Sequence, residues 1–511
     1  MKRLTALLLA GALALALCAC GGDAPAVEPS ASPEPTASPS APPEDRPLTL
    51  AYDPSATLHP IRGESQVNGM LTALVWQGLY ELDNTFTPQP VLARSAAADE
   101  GGRVWTVTIR AGVTFSDGTP LTARHAADSL NAARSSARYA ARLSTVASVT
   151  AQGDDVIITL YTPNGDLPAL LDIPVVLEQG GGTPLGTGRY CFEESPDGLR
   201  LTANPLWTGT LPFAAIALHP VSGADSRLDA FNSGAVTMVA ADPNSLFSLG
   251  YGGDCERWDY PTTELICLGF NTVRGPCRYG AVRRAVSLLC DRAGLVRSAL
   301  SGLGDPAALP VSPLCDDYDS AAAQALVFDP DGAAALLEGA GFASGEDGVR
   351  HRRSESLSVT ILVNADSDAK TALAEGLAEE LRAAGFEVTV DGRTWRDYQA
   401  ALAAGSFDLY VAEVRLTGDF NFTPLLSGTL NYGQYSLSGL SDVLSAWTAA
   451  RGAARTAAAE ALWTRFAQEV PLAPICFKRR VLLVRPGAVT GLSPTRADLF
   501  AGMESWGTAG R

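Results

Sequence analysis

Four histidines in 511 residues leave little imidazole for acid–base chemistry or metal binding. None of His59, His125, His219 and His351 sits in an H-E-x-x-H pattern, and no G-x-S-x-G elbow occurs. No G-x-G-x-x-G follows a strand pattern, which argues against a dinucleotide site. No C-x-x-C pair occurs, which argues against zinc at the usual spacing. The glycines from Gly181 to Gly188 are spaced faintly like a phosphate loop but lack its lysine, and they read as a connection. No catalytic constellation is found, so an enzyme, a cofactor and a metal are not expected. Basic residues are scarce too: 38 Lys and Arg face 55 Asp and Glu, a net charge of −17. That excess argues against nucleic acid and against electrostatic docking on anionic lipid. Past the N-terminus, no apolar run reaches the ~20 residues of a membrane-spanning helix.

The N-terminus carries what the rest lacks. Lys2 and Arg3 precede an almost unbroken apolar run from Leu4 to Leu17, followed by small residues. This is the plan of a secretory signal, with a run of about 14 residues that is short for a membrane span. Its end, Leu17-Cys18-Ala19-Cys20, resembles the bacterial lipobox. Cys20 fits as the lipidated residue, with Ala19 before it and Leu17 three back; Cys18 follows a large leucine and fits poorly. Each acyl CH2 buried in a membrane contributes about 0.8 kcal/mol, so several chains on Cys20 would hold the protein on the membrane's outer face. Residues 1–19 thus read as a signal. Residues 20–47, almost wholly Gly, Ala, Pro, Ser, Thr and acid, read as a disordered, semi-rigid tether.

The body that follows is long enough for two lobes with separate cores. It holds seven cysteines. Cys267, Cys290 and Cys476 lie in apolar patterns and read as buried thiols, whereas Cys255 and Cys277 lie in turn-rich stretches where a disulfide is possible. Strands are predicted at 48–52, 104–109, 156–161 and 199–203, and helices at 69–80 and 123–134, the latter capped by Thr122. Near mid-chain, Glu264 to Asn271 is a strong apolar strand. Helical patterns at 281–300 and 330–340 follow, the second capped by Asp329. Then strand and helix alternate: strand 357–363, helix 366–384, strand 386–390, helix 395–404, strand 407–416. That order predicts a parallel sheet covered by helices, with ligands beyond the carboxyl ends of its strands.

Several segments together resemble the extracytoplasmic solute-binding proteins of peptide ABC importers, the oligopeptide, dipeptide and nickel group of family 5. They are Phe115-Ser-Asp-Gly-Thr-Pro-Leu-Thr122, Pro184-Leu-Gly-Thr-Gly-Arg-Tyr190, Leu201-Thr-Ala-Asn-Pro-Leu-Trp207, Leu268-Gly-Phe-Asn-Thr272 and Val282-Arg-Arg-Ala-Val286. The resemblance implies an α/β, two-lobed periplasmic-binding-protein-like fold of type II, in the large peptide-binding class, with two hinge crossings. Residues 48–265 would form lobe I, 266–474 lobe II, and 475–511 a return to lobe I. It also implies a lipid-anchored monomer that captures peptide in the interlobe cleft and delivers it to permease and ATPase subunits. Its alternative is a peptide-sensing or interaction lipoprotein on the same fold.

By the same resemblance Asp419 matches the aspartate that pairs with a peptide α-ammonium. Glu413 and Arg415, on one face of the preceding strand, either pair with each other or touch ligand. Trp395, Tyr432 and Tyr435 are candidate pocket walls, and Asn271 and Asn421 are candidate hydrogen-bonding residues. The tryptophan that commonly precedes the aspartate is absent. The dipeptide-type arginine has no match between Asn364 and Lys370, which disfavours a strict dipeptide binder, and the nickel-type histidine has no clear match either.

Overall fold

The apolar segments gather into two main hydrophobic bodies, and two long strands contribute to both. The computed structural model describes residues 48–244 and 250–508, within the unit Asp45–Arg511. The signal, Cys20 and the tether lie outside the described residues.

The first body is built on two four-stranded sheets. In one, Val104–Ile109 turns Trp105, Val107 and Ile109 inward, the period-two pattern read from VWTVTI. It lies between Ala93–Ala98 and Asp155–Leu160, with Val146–Gln152 at the edge. The helix Ala123–Arg134 packs on this sheet. Its start is closed by the Thr122 N–H, which donates to Nδ1 of His125 at 3.2 Å. The other sheet runs Thr49–Tyr52, Ala215–Pro220, Gly198–Ala203, Tyr190–Ser195.

The expected helix at 69–80 is two short pieces, Gln66–Met70 and Thr72–Val75, and the chain then extends from Trp76. Tertiary packing overrides the helical spacing here. Val175 N–H donates to Gln77 O at 2.9 Å and Tyr80 N–H to Leu171 O at 3.3 Å, so residues 77–80 run beside 171–175. A Cβ on Gly78 would lie 2.9 Å from Tyr80 O, which leaves glycine the fitting residue for this approach.

The second body carries the alternating pattern. Ser358–Asn364 pairs in parallel with Glu387–Arg393 on one side and Leu409–Arg415 on the other. The intervening helices are Asp368–Ala383 and Trp395–Ala404. The first buries Leu373, Ala374, Leu377, Ala378 and Leu381, an apolar stripe at helical spacing. The pattern at 281–300 is two helices, Gly280–Leu288 and Arg292–Ala299. Asp291 accepts from Gly294 N–H at 2.9 Å and starts the second. The buried Arg292 fastens the break by donating to Pro474 O at 2.8 Å and Leu326 O at 2.7 Å.

Between the bodies run Glu256–Phe270 and Leu472–Val484, antiparallel to each other. Glu256 pairs with Val484 and Pro261 with Arg479; the register then shifts, and Leu265 pairs with Phe477. Leu482 and Val484 pack in the first body, while Leu265–Phe270 and Leu472–Phe477 pack in the second. The sequence pattern revealed only the second half of the first strand, because ERWDYPT before it is polar and interrupted by Pro261. The architecture is thus two α/β lobes joined by two strand crossings.

All seven cysteines of the body are free thiols. The disulfide entertained for Cys255 and Cys277 is not made: Cys277 is buried in the second body, while Cys255 packs beside a small cluster around Phe231. Burial pushes the Cys267 and Cys476 thiols up to about 12 and Cys290 up to about 11, which leaves almost no thiolate at neutral pH. Titration of the native protein with an aromatic disulfide reagent is expected to reach Cys191 and Cys255 first. Cys267, Cys277, Cys290 and Cys476 are expected to react only after denaturation, and fast native reaction at any of these four contradicts the packing.

Candidate functional site

The strand Leu409–Arg415 ends where the two lobes meet. Thr263 Oγ1 donates to Leu416 O at 2.7 Å, and Leu416 N–H donates to Thr263 O at 2.9 Å, which fixes the exit. The chain then turns against the first lobe. A Cβ on Gly418 would lie 2.3 Å from Ala169 O, so the two backbones touch. Phe420 sits edge-on to Phe86 of the first lobe at 5.0 Å and to Phe477 at 5.4 Å. At the other end of this contact, Gly165 N–H donates to Thr448 O at 2.7 Å, and Arg451 donates to Asp99 O at 2.9 Å.

Asp419 is buried in this seam, 6% exposed. Its Oδ2 accepts from Asn164 Nδ2 at 2.9 Å, across the lobes. Its Oδ1 accepts from Thr417 Oγ1 at 2.5 Å and from Asn421 N–H at 3.3 Å. These three donors are neutral. They solvate the carboxylate but bring no positive charge, and a buried charge without a counter-charge is costly. Asp166 lies near it, and burial pushes its carboxyl up to about 7. Arg455 opposes that rise from 3.7 Å while Asp419 and Asp317 add to it. Arg455 is also held by Asp317 at 2.6 Å.

Beside the seam, the crossings carry a second set of charges. Glu413 and Arg415 do not pair with each other. Glu413 takes Lys478 at 2.9 Å and Lys370 at 3.0 Å, and Lys478 also takes Asp242 at 2.6 Å. Burial alone would raise the Glu413 carboxyl, but the two lysines hold it down to about 2. The buried Glu264 accepts from Arg415 at 2.5 Å and Arg480 at 2.7 Å. Asp242, Glu264 and Glu413 place oxygens within 4.8 Å of one another, a spacing that would suit a cation. Lysine and arginine already supply the positive charge there, so the residues do not call for a metal.

The first-lobe wall has its own imbalance. Asp172 is gripped by Arg142 at 2.5 Å and Arg496 at 3.0 Å. Burial lowers the pKa of Arg496; Asp172 opposes this, and the charges of Arg142 and Arg415 lower it further. Glu81, nearby on the strand Tyr80–Leu82, is pushed up to about 7 by burial, with Asp498 adding to the shift and Arg189 opposing it.

The remaining candidates are placed as follows. Trp395 opens a helix beyond the carboxyl end of Glu387–Arg393, is 51% exposed and stacks on Tyr398 at 5.7 Å. Its N–H donates to Asp366, beyond the end of the neighbouring strand, at 2.7 Å. Asn271 is buried and spends its amide on main chain: Nδ2 donates to Phe407 O at 3.2 Å, and Oδ1 accepts from Arg274 N–H at 3.2 Å. Asn421 Oδ1 accepts from Thr423 N–H at 3.0 Å. Tyr432 packs edge-on to Tyr410 at 6.2 Å, and Tyr435 is buried. Sequence reasoning missed Asn164, Asp166, Arg455, Asp172, Arg142, Arg496 and Glu81; Asn164 with Asp419, Asp166 with Arg455 and Asp172 with Arg496 meet across more than 250 residues of chain, and Arg142 joins them through Asp172. Glu264 alone had a local signal, as an acid heading an apolar run.

The profile of the bacterial extracellular solute-binding proteins, family 5, middle region, matches residues 87–433. The chain belongs to that family. Among curated relatives, Protein XP55 of Streptomyces lividans is 27% identical over 430 residues, covering 78% of this chain and 77% of its own. Among solved structures, the nickel ABC transporter protein from Bacillus halodurans superposes with a TM-score of 0.73 at 20% identity, over 88% of this chain and 98% of its own. The oligopeptide-binding protein AppA from Bacillus subtilis, solved with a nonapeptide, superposes at 0.59 with 18% identity, over 90% and 99%. At these identities the structural likeness establishes the fold. Family 5 proteins are extracytoplasmic, non-enzymatic components of ABC transport that bind a solute and hand it to permease and ATPase subunits. Among the described residues, no helix is long and apolar enough to cross a membrane.

Glu81 gives the wall a measurable pH dependence. Its folded pKa of about 7 lies above the ordinary carboxylate value, so its favourable contribution is complete below about pH 4.5 and is lost as pH rises through 7. Glu81→Gln is expected to stabilise the protein at pH 8 by about 1–3 kcal/mol and to leave it unchanged at pH 4.5. Urea unfolding at the two pH values tests this, and an equal effect at both is the contrary result.

Proposed function

We propose that this protein is the lipid-anchored peptide receptor of an ABC importer, a monomer tied to the membrane's outer face through acylated Cys20. Lobe I comprises 48–265 with the return 475–511, lobe II comprises 266–474, and peptide binding closes them about the two crossings. Asp419 carries the reading. A carboxylate buried between lobes, with three neutral donors and, among the described residues, no cation on its oxygens, is a site for a peptide α-ammonium. Asn164 Nδ2 stands on Oδ2, the place that an ammonium would take. Trp395, exposed beyond the strand ends, offers a wall for an apolar side chain, and Tyr432 and Tyr435 are the other aromatic walls in this reading. Glu413 and Arg415 tune the charge of the seam, while Asn271 and Asn421 shape its loops. The structural likeness to a nonapeptide-bound oligopeptide-binding protein supports peptide as the ligand class.

Peptides of two to eight residues are expected to raise the melting temperature in proportion to RT ln(1 + [L]/Kd). Asp419→Asn is expected to weaken peptide binding by about 2–5 kcal/mol, because it removes the counter-charge and leaves the amide–amide contact with Asn164. A shift with sugars or metal chelates and none with any peptide rejects the ligand class. Intact-mass measurement of the membrane fraction is expected to show acyl chains on a chain that begins at Cys20, and an unmodified N-terminus rejects the anchor.

A further inference from the structure

Three consecutive residues of the first lobe, Asn164, Gly165 and Asp166, each bind a different element of the second. Asn164 Nδ2 donates to Asp419 Oδ2 at 2.9 Å. Gly165 N–H donates to Thr448 O at 2.7 Å, at the end of the helix Ser441–Ala449. The last carbonyls of a helix lack a partner within it, and here the other lobe supplies the donor. A Cβ on Gly165 would lie 1.9 Å from Ala450 O, so only glycine has room for this approach. Asp166 faces Arg455 of the helix Ala453–Glu469 at 3.7 Å. That guanidinium is held from its own lobe: Asp317 pairs with it at 2.6 Å, and it lies over the Trp447 ring at 4.6 Å. Trp447 Nε1 in turn donates to Asp317 Oδ2 at 3.2 Å. The segment is also tied to itself, since Asp166 N–H donates to Asn164 Oδ1 at 2.8 Å. All of these bonds join protein groups, so the contact does not depend on what the cleft holds.

Charge at this point is unbalanced. Asp166, Asp317 and Asp419 gather about one guanidinium, that of Arg455. Arg451, next to Ala450, is turned away to Asp99 O at 2.9 Å, and the Cys315 thiol nearby is kept neutral by burial, which pushes it up. We propose that Asn164–Asp166 is a clasp that holds the two lobes together in addition to the two strand crossings, and that a proton on Asp166 tightens it. Ionised, Asp166 competes with Asp317 for Arg455 and repels Asp419; protonated, it does neither. Where the lobes part, water solvates Asp166 and its carboxyl returns to the ordinary carboxylate range. In the clasp, burial pushes it up to about 7, with Arg455 opposing and Asp419 and Asp317 adding. The proton therefore favours the joined arrangement, in full below about pH 4, and this preference is lost as pH rises through 7. Water reaches 26% of the Asp166 side chain and screens part of the effect. Acid closes the clasp and alkali loosens it. The proposal rests on the two-lobed architecture and not on peptide as the ligand.

Hydrogen exchange of the detergent-solubilised full chain with no peptide added tests this, at about pH 5.5 and about pH 8.5, with each rate divided by the intrinsic rate at that pH. The Gly165 amide is expected to be protected at both values, and about tenfold or more strongly at the lower. Asp166→Asn, neutral at every pH, is expected to keep strong protection at both values and to remove the difference. Glu81→Gln is expected to leave the difference in place, which separates Asp166 from the other acid pushed up to about 7. Gly165→Val is expected to abolish the protection of the clasp while amides of Ala123–Arg134 and Asp368–Ala383, a helix from each lobe, stay protected. If that variant does not fold, the comparison of the unaltered chain with Asp166→Asn decides. Exchange of Gly165 at the intrinsic rate at both pH values overturns the clasp. Equal protection at both, or a pH difference that survives in Asp166→Asn, overturns the role of the proton. Each of these results leaves the peptide reading standing, and failure of every peptide to bind leaves the clasp standing.

Discussion

Two antiparallel strands shared between two cores are the constraint on which the rest of the molecule depends. Glu256–Phe270 and Leu472–Val484 anchor one end in each lobe, so the lobes are joined at the crossing. The register shift between Pro261 and Leu265 loosens the ladder at the point where the strands pass from one core to the other. Charge pairs pin the same place from the side. Lys478, 5% exposed, bridges Glu413 and Asp242, and Glu264 holds arginines from both neighbouring strands. Buried pairs of this kind add little net stability but make a misaligned crossing expensive, because any shift leaves a charge unpaired.

The position of the crossing fixes the seam, and the seam fixes the chemistry. Because Leu409–Arg415 pairs directly with Glu256–Phe270, its exit at Leu416 lies beside the crossing and faces the first lobe. The loop that follows has glycine at Gly418 because Ala169 O leaves no room for a Cβ, and Asp419 is carried into the contact behind it. Asp419 is screened from water there, at 6% exposure, which strengthens the electrostatic preference it expresses. A buried acid held only by neutral donors therefore keeps a preference for positive charge that an exposed carboxylate would lose to solvent.

Much of both lobes was legible in the sequence where the signals are local. Alternation in VWTVTI, the apolar stripe of Asp368–Ala383, the Asp329 cap and the strand–helix alternation from Leu357 to Leu416 all depend on neighbours within a few residues, and the structure holds each of them. The expectations that failed are those in which a distant segment overrules local pattern. Residues 77–80 extend to lie beside 171–175, and the helix expected across 281–300 is broken where Arg292 ties to carbonyls up to 182 residues away. Asp419 was recognisable from the strand it follows. Its partner Asn164 was not, because a lone asparagine in a polar stretch carries no mark of what will face it.

By itself, the chain determined the type of most of its elements, since each follows from residues close in sequence. Only the tertiary structure decided where charge is left uncompensated. Whether an arginine is spent or spare depends on how many carboxylates fall within about 4 Å of it, and that is settled by packing rather than by spacing along the chain. Asp172 with two arginines and Asp419 with none on its oxygens among the described residues are both products of the folded arrangement.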